Sequence, residues 1–188
     1  AQKVERAKDD AERARIWRAR KESFGAIGCI SPSYYVQDGV IPRSKLPEVI
    51  EQIEAIGKKY NLTIANVFHA GDGNLHPLIL YNYKDADEVE RTHHAGEEIL
   101  KVCLSCGGAL SGEHGIGLEK LKLMTDLYSE NDLENMNWVR GCFNPESLLN
   151  PSKAIPTPSR CGESKQLVHI SDDIAASKMV ARKSGVAV

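Results

Sequence analysis

No run of this sequence is apolar for the 18 or so residues that a membrane-crossing helix needs, so a bilayer-spanning helix is excluded by length alone. No secretory leader is visible in it either. The opening residues, AQKVERAKDDAERARIW, are charged throughout, and their acidic residues also set them apart from a transit peptide. Charge of one sign is lacking: 24 Lys and Arg against 26 Asp and Glu leave a formal charge of -2, interleaved along the chain. That balance removes the electrostatic ground for a nucleic-acid or anionic-membrane partner. Cysteine is sparse and unpaired in number. Five residues at irregular spacing (Cys29, Cys103, Cys106, Cys142 and Cys161) suit a reducing compartment better than a disulfide framework, and a cytoplasmic location is the expectation. Cys103 and Cys106 make a C-x2-C with no second pair and no nearby histidine, so they read as two small apolar residues on the last turn of a helix before Gly107. Internal repeats and low-complexity blocks are absent.

What is present suits one domain with ragged ends, expected over residues 1–163, followed by a flexible tail over 164–188. Small and apolar residues recur every three or four positions from Val4 to about Phe24, which predicts an amphipathic helix ended by Gly25 and Gly28. SYYVQDGVIP predicts a strand stopped by Pro42. Ser44 is placed to cap a helix with Pro47 in its first turn and Val49, Ile50, Ile53 and Ile56 on its inner face. TIANVFH and LHPLILYN predict two strands joined by the turn AGDGN. Asp85 or Asp87 opens a long helix with Val89, Ile99, Leu100 and Cys103 inward and a stop at Gly107. GALSGEHGIG reads as a short strand running into a tight loop; helices follow over Leu118–Tyr128 and, capped by Ser129, over Leu133–Val139. The proline-punctuated FNPESLLNPSKAIPTPSRCGE excludes regular structure. This order implies an α+β fold, an antiparallel or mixed sheet with helices packed on one face.

The stretch FHAGDGNLHPLIL carries the chemistry: His69 and His76 flank a glycine-aspartate-glycine-asparagine turn. In a closed hairpin the two would sit opposite one another, with Cβ atoms about 5 Å apart, near enough to share a metal ion. SGEHGIG offers a third ligand, Glu113, bracketed by glycines, and beside it His114 as a proton acceptor. Asp72 fits two roles, holding a liganding histidine in its tautomer or forming the turn. His93 and His94 lie mid-helix among Arg91, Glu97 and Glu98 and read as solvated or partly packed.

ARKESFGAIG, DGVIPRSKLP, NVFHAGDGNLHPLILYN, GGALSGEHGIGLEK and LLNPSKAIPTPSRCGE together resemble the C-terminal half of the FAD-linked 2-hydroxy-acid oxidases and dehydrogenases, from roughly Ile16 to Glu163. Within that family the glycolate oxidase flavin subunit is most similar, and the D-lactate and D-2-hydroxyglutarate dehydrogenases are more distant. The resemblance implies the α+β cap domain of the vanillyl-alcohol-oxidase-like flavoenzymes, with FAD bound mainly by an N-terminal domain of the same parent chain that this sequence lacks. It implies His69, His76 and Glu113 as ligands of a divalent metal, zinc or manganese, and His114 as the base. Arg20, in the W-x-A-R motif, matches the arginine that grips the substrate carboxylate. Asn150, in LLNPSK, matches an asparagine near the flavin edge, and also suits a turn before Pro151. The implied activity is oxidation of glycolate or D-lactate to the 2-oxo acid with hydride transfer to FAD, the isolated chain being inactive. Leu78 stands where the hydroxyglutarate enzymes carry asparagine, and VQDG lacks their lysine, so a small 2-hydroxy acid is expected. A D-2-hydroxyglutarate-type dehydrogenase and a self-contained metal-dependent hydrolase are the alternatives. Other oxidase subunits and a second copy of the chain are the further partners to expect.

Overall fold

The computed structural model describes residues 5–156; Cys161 and the expected tail over 164–188, with His169, lie outside them. The first element, α1 (Asp10–Ile27), starts later than the periodicity predicts, because the Asp9 side chain accepts from the Glu12 N–H at 2.8 Å and caps the helix there. It also runs through Gly25. The burial of Ile27 and the packing of Phe24 beside it outweigh the cost of one mid-helix glycine, which is about 1 kcal/mol.

The predicted strand SYYVQDGVIP is two strands, β1 (Ser33–Val36) and β2 (Gly39–Val40), separated by the buried polar residues Gln37 and Asp38. A 3-10 turn over Arg43–Lys45 leads into α2 (Leu46–Lys59). Ser44 therefore lies inside the winding and caps nothing. Val49, Ile53 and Ile56 form the buried face of α2, and Ile50 is half-buried.

Next come β3 (Thr63–Asn66), β4 (Asn74–Leu75) and β5 (Pro77–Tyr81). β5 lies between β1 and β3, both antiparallel to it, in the register Tyr35↔Ile79 and Ile64↔Ile79; β2 pairs with β4. The α+β expectation is met. α2 and the long α3 (Ala86–Ser105) cover one face through Ile53, Ile56, Ile79, Ile99 and Cys103. The last turn of α1 reaches the other face, where Ile27 meets Leu78, Leu80 and Val67. α3 is capped by Asp85, which accepts from the N–H groups of Asp87 and Glu88, and Gly107 at φ +79° ends it.

The predicted helix over Leu118–Tyr128 is reduced to a 3-10 turn and the single turn α4 (Met124–Leu127), because Lys120 is drawn inward and Leu123 and Met124 dock against Leu100 and Leu110. α5 (Glu130–Phe143) starts at Ser129 as expected, with a reciprocal capping box to Asp132, and extends one turn past Val139. The segment after it is irregular, with Ser147, Asn150, Ser152 and Ala154 at positive φ. No described helix is long and apolar enough to cross a membrane.

Ile79 is fully buried in the central strand, so Ile79→Ala is expected to lower the unfolding free energy by roughly 2–5 kcal/mol. Ile30→Ala, at a position 72% exposed, is expected to change it by less than about 0.5 kcal/mol. Urea titrations of the two variants check the contrast.

Candidate functional site

Two backbone segments build the site, and the short β2 ties them together. On one side β2 pairs with β4 at the hairpin tip, and Ile41 N–H donates to Gly73 O at 3.0 Å. On the other side Val40 exchanges two 3.0 Å hydrogen bonds with Ala109, the residue that leads into SGEHGIG. Gly73, at φ +77°, makes the turn possible. Gly112 allows the close approach of the second loop: a Cβ there would lie 2.6 Å from the Asn74 side chain.

The hairpin register differs from a direct pairing of the two histidines. His69 pairs with Asn74, and His76 O accepts from Val67 N–H, so the imidazoles are diagonal neighbours offset by two residues. Both still point to one face, and their ring centroids are 5.3 Å apart. His76 is buried, whereas the side chains of His69, Glu113 and His114 are each about half exposed.

Glu113 Oε1 is the common point of the cluster. His76 Nε2 lies 2.8 Å from it, His69 Nε2 3.8 Å and His114 Nε2 3.9 Å. Ligands of a tetrahedral zinc-like ion stand about 3.3 Å apart, and the donor atoms of His69, His76 and Glu113 lie within 4.8 Å of one another, a set that could hold such an ion on drawing together. Two lone pairs 2.8 Å apart repel unless a proton or a cation lies between them, and His76 and Glu113 are so placed. The His114 ring stacks on His76 at a centroid distance of 5.0 Å and 16° between planes.

His76 Nδ1 faces Gln37 O at 3.3 Å, so a proton on Nδ1 donates to that carbonyl and leaves Nε2 free as a ligand. Asp72 does not hold either histidine. Its N–H donates to His69 O at 2.9 Å, the bond of a turn-forming residue. Cys103 is fully buried against Gly39, and burial, with Cys106 nearby, pushes its thiol up to about 12. It stays protonated. The packing role expected of the C-x2-C holds.

Sequence reasoning missed Asp38 and Lys120. The Asp38 carboxylate is fully buried and accepts from Ser111 Oγ at 2.6 Å, Gly112 N at 3.0 Å, Glu113 N at 3.2 Å and His114 N at 2.9 Å. Lys120 Nζ reaches the same oxygen at 3.3 Å and donates to Asp38 O at 2.8 Å. Burial alone would raise the Asp38 pKa. The Ser111 hydroxyl, the His114 and Glu113 N–H groups and Lys120 outweigh it and hold the carboxyl below the usual carboxylate range. Burial pushes the Lys120 ammonium down, and Asp38 opposes it. An aspartate before a glycine at a strand break was the one visible signal, and its partners lie over 70 residues away.

Arg20 shares a stripe of α1 with Phe24 and Ile27 at helical spacing, and that stripe meets the sheet face bearing Val67, Leu78 and the two site histidines. Arg13, Arg15 and Arg18 each pair with an acidic residue of α1, but among the described residues the Arg20 guanidinium makes no ion pair. Asn150 sits exposed in the turn that Arg140 holds, at φ +43°, and Ala154 N–H donates to Gly117 O at 2.9 Å, bringing that segment against the His114 loop. A cleft of about 350 Å³ lies there, lined by Val36, His114, Gly117 and Lys153.

These features describe an α+β domain presenting an open His-His-Glu cluster. A match to the family of FAD linked oxidases, C-terminal domain, covers residues 1–154, and the chain belongs to that family. It is similar to glycolate oxidase subunit GlcD of Escherichia coli strain K12, 48% identical over 160 residues, covering 85% of this chain and 32% of the relative. GlcD of Bacillus subtilis is 31% identical over 157 residues (84% and 33%), and a probable mitochondrial D-lactate dehydrogenase of Danio rerio 34% over 151 residues (79% and 30%). The chain thus spans about a third of the length of these relatives.

Asp38→Ala would leave Lys120 buried without its partner, so a loss of about 3–5 kcal/mol in unfolding free energy is expected. Denaturant titration of that variant against Lys122→Ala, whose partner Glu97 is on the surface, checks it.

Proposed function

We propose that this domain is the substrate- and metal-binding cap of a flavin-dependent 2-hydroxy-acid oxidoreductase that converts glycolate or D-lactate to the 2-oxo acid. The observation that carries the reading is the convergence of His69, His76 and Glu113, from two separate loops, with His114 stacked beside them. Membership of an FAD-linked oxidase family supports a redox role for such a cluster. When bound, FAD supplies the acceptor for the hydride leaving C2, and a divalent zinc or manganese ion supplies positive charge that favours loss of the hydroxyl proton. Flavin contacts come mainly from a part of the parent protein outside this chain, with Asn150 at the flavin edge.

The chain's own residues bind and orient the substrate. Arg20 meets its carboxylate with a planar fork of donors, free of competing acids on α1. His69, His76 and Glu113 would hold the ion. His114, half exposed at the cleft and adjacent to Glu113, takes the C2 hydroxyl proton on a ring nitrogen. Leu78, two residues beyond His76 on the same face, is fully buried beneath α1 and offers no polar atom to a distal carboxylate, which supports a short acid. The exposed apolar side chains of Trp17, Trp138, Phe143, Leu148 and Leu149 fit a domain that docks against the flavin-binding part of its parent.

In the intact parent enzyme, His114→Ala is expected to lower kcat on glycolate or D-lactate by about 10² to 10⁴-fold while the bound-metal stoichiometry stays at the wild-type value. Unchanged kcat would remove His114 from the chemistry. His76→Ala in this chain is expected to abolish zinc and manganese binding by titration calorimetry. Esterase or phosphatase turnover by the isolated chain with zinc, without flavin, would replace the oxidoreductase reading with a hydrolase.

A further inference from the structure

We infer that the buried Gln37–Asp38 dipeptide is the bracket that positions both halves of the site, with Asp38 serving as an internal anion around which the Glu113–His114 loop is folded. This rests on the proposed metal site, whose residues it orients. Gln37 and Asp38 are 1% and 0% exposed and break the strand between β1 and β2. Gln37 O faces His76 Nδ1, and its N–H donates to Pro77 O at 3.1 Å, so this residue grips the hairpin at the ligand and next to it. One residue later, the Asp38 carboxylate gathers the N–H groups of Gly112, Glu113 and His114 in succession.

Successive N–H groups that converge on one anion form a concave nest, the geometry by which proteins bind phosphate, and here the anion is the chain's own. The clamp is matched from below. Gln37 Nε2 donates to Glu119 Oε1 at 3.4 Å while Asp38 takes Lys120, so the dipeptide 119–120 holds the dipeptide 37–38 residue by residue. Ser111 Oγ adds a link: it donates to Asp38 and accepts from Gly115 N–H at 2.7 Å, closing the loop on its far side.

Asp38 lies within 4.8 Å of His76 and His114 ring nitrogens, a second grouping that could hold an ion, but its hydrogen bonds give it a different role. Five donors crowd its Oδ2 (a hydroxyl, three amides and an ammonium) and Oδ1 shares the Glu113 N–H at 3.3 Å, so the carboxylate is committed to the loop and to Lys120. It acts through the backbone of the two residues that do the work. The Glu113 amide is pinned to Asp38 while the Glu113 carboxylate faces His76, so a displacement of the loop moves a ligand and the base together. Partners one step removed from a metal typically change its affinity about 10- to 100-fold.

The test uses the full 188-residue chain, zinc titration and amide exchange at residues 112–114. Asp38→Asn alone strands Lys120, so Asp38→Asn is combined with Lys120→Met, which removes the unpaired charge. The double variant is expected to recover an unfolding midpoint near wild type, yet to bind zinc about 10- to 100-fold more weakly and to exchange those amides at least about tenfold faster. Recovery of zinc affinity and amide protection together with stability would overturn the bracket and leave the metal reading standing. Fast exchange in the double variant of a chain whose wild type binds neither zinc nor manganese would support the bracket and end the metal reading. Ser111→Ala, which keeps both buried charges, is the second variant: a smaller loss in both readouts supports the assignment, and no change in either counts against it.

Discussion

A carboxylate taken wholly out of water, that of Asp38, is the constraint on which the rest of this domain's upper surface depends. Desolvating it costs several kcal/mol, and Lys120 alone would not offset that, since the ammonium is desolvated as well. Three amides and a hydroxyl complete its coordination, and all of them belong to one loop. The loop cannot leave without stranding a charge. A segment containing four glycines between residues 108 and 117, which by composition should wander, is thereby held in one shape.

Around that anchor the candidate site divides into a fixed part and an adjustable part. His76 is buried on the strand ladder with its far nitrogen facing a carbonyl, so its position is set by the sheet. His69, Glu113 and His114 are half exposed and stand on turns, with room to move by tenths of an ångström as an ion or substrate requires. This combination is what a site with an open coordination position needs. His114 lines the cleft beside Lys153, and the packing of Phe24 and Ile27 sets the last turn of α1, with Arg20 one turn before it, against the sheet face that bears Leu78. Burial along α1 then falls away, from Ile27 at 7% exposed to Trp17 at 56%, so the helix leaves the body of the domain carrying an apolar side chain outward. Such a surface suits a domain that is one third of the length of its relatives.

Elements whose signals are local were legible. Asp85 and Ser129 announced their helices because a side-chain cap is decided within four residues, and Gly107 ended α3 because only glycine takes that φ cheaply. The α+β order and the family resemblance could likewise be read, since strand and helix periods alternate in plain view. Where distant residues override local preference, the reading went astray. Ser44 is a good cap that caps nothing, because Pro42 starts a 3-10 turn ahead of it. SYYVQDGVIP reads as one strand, yet Gln37 and Asp38 turn their hydrogen bonds to His76 and to a loop over 70 residues on. Leu118–Tyr128 has a helical pattern, but the pull of Lys120 toward Asp38 breaks it.

By itself, then, the chain determined which residue types could do chemistry: two histidines around a glycine-rich turn, and a glutamate and a histidine between glycines. Side-chain identity fixes donor atoms and charge, and these need no partner to be recognised. Only the tertiary structure decided that they meet. The two-residue register offset that sets His69 and His76 diagonally belongs to the closed hairpin, and the buried pair that draws residues 111–114 over them joins segments far apart along the backbone. Their free energy exists only once the core has excluded water.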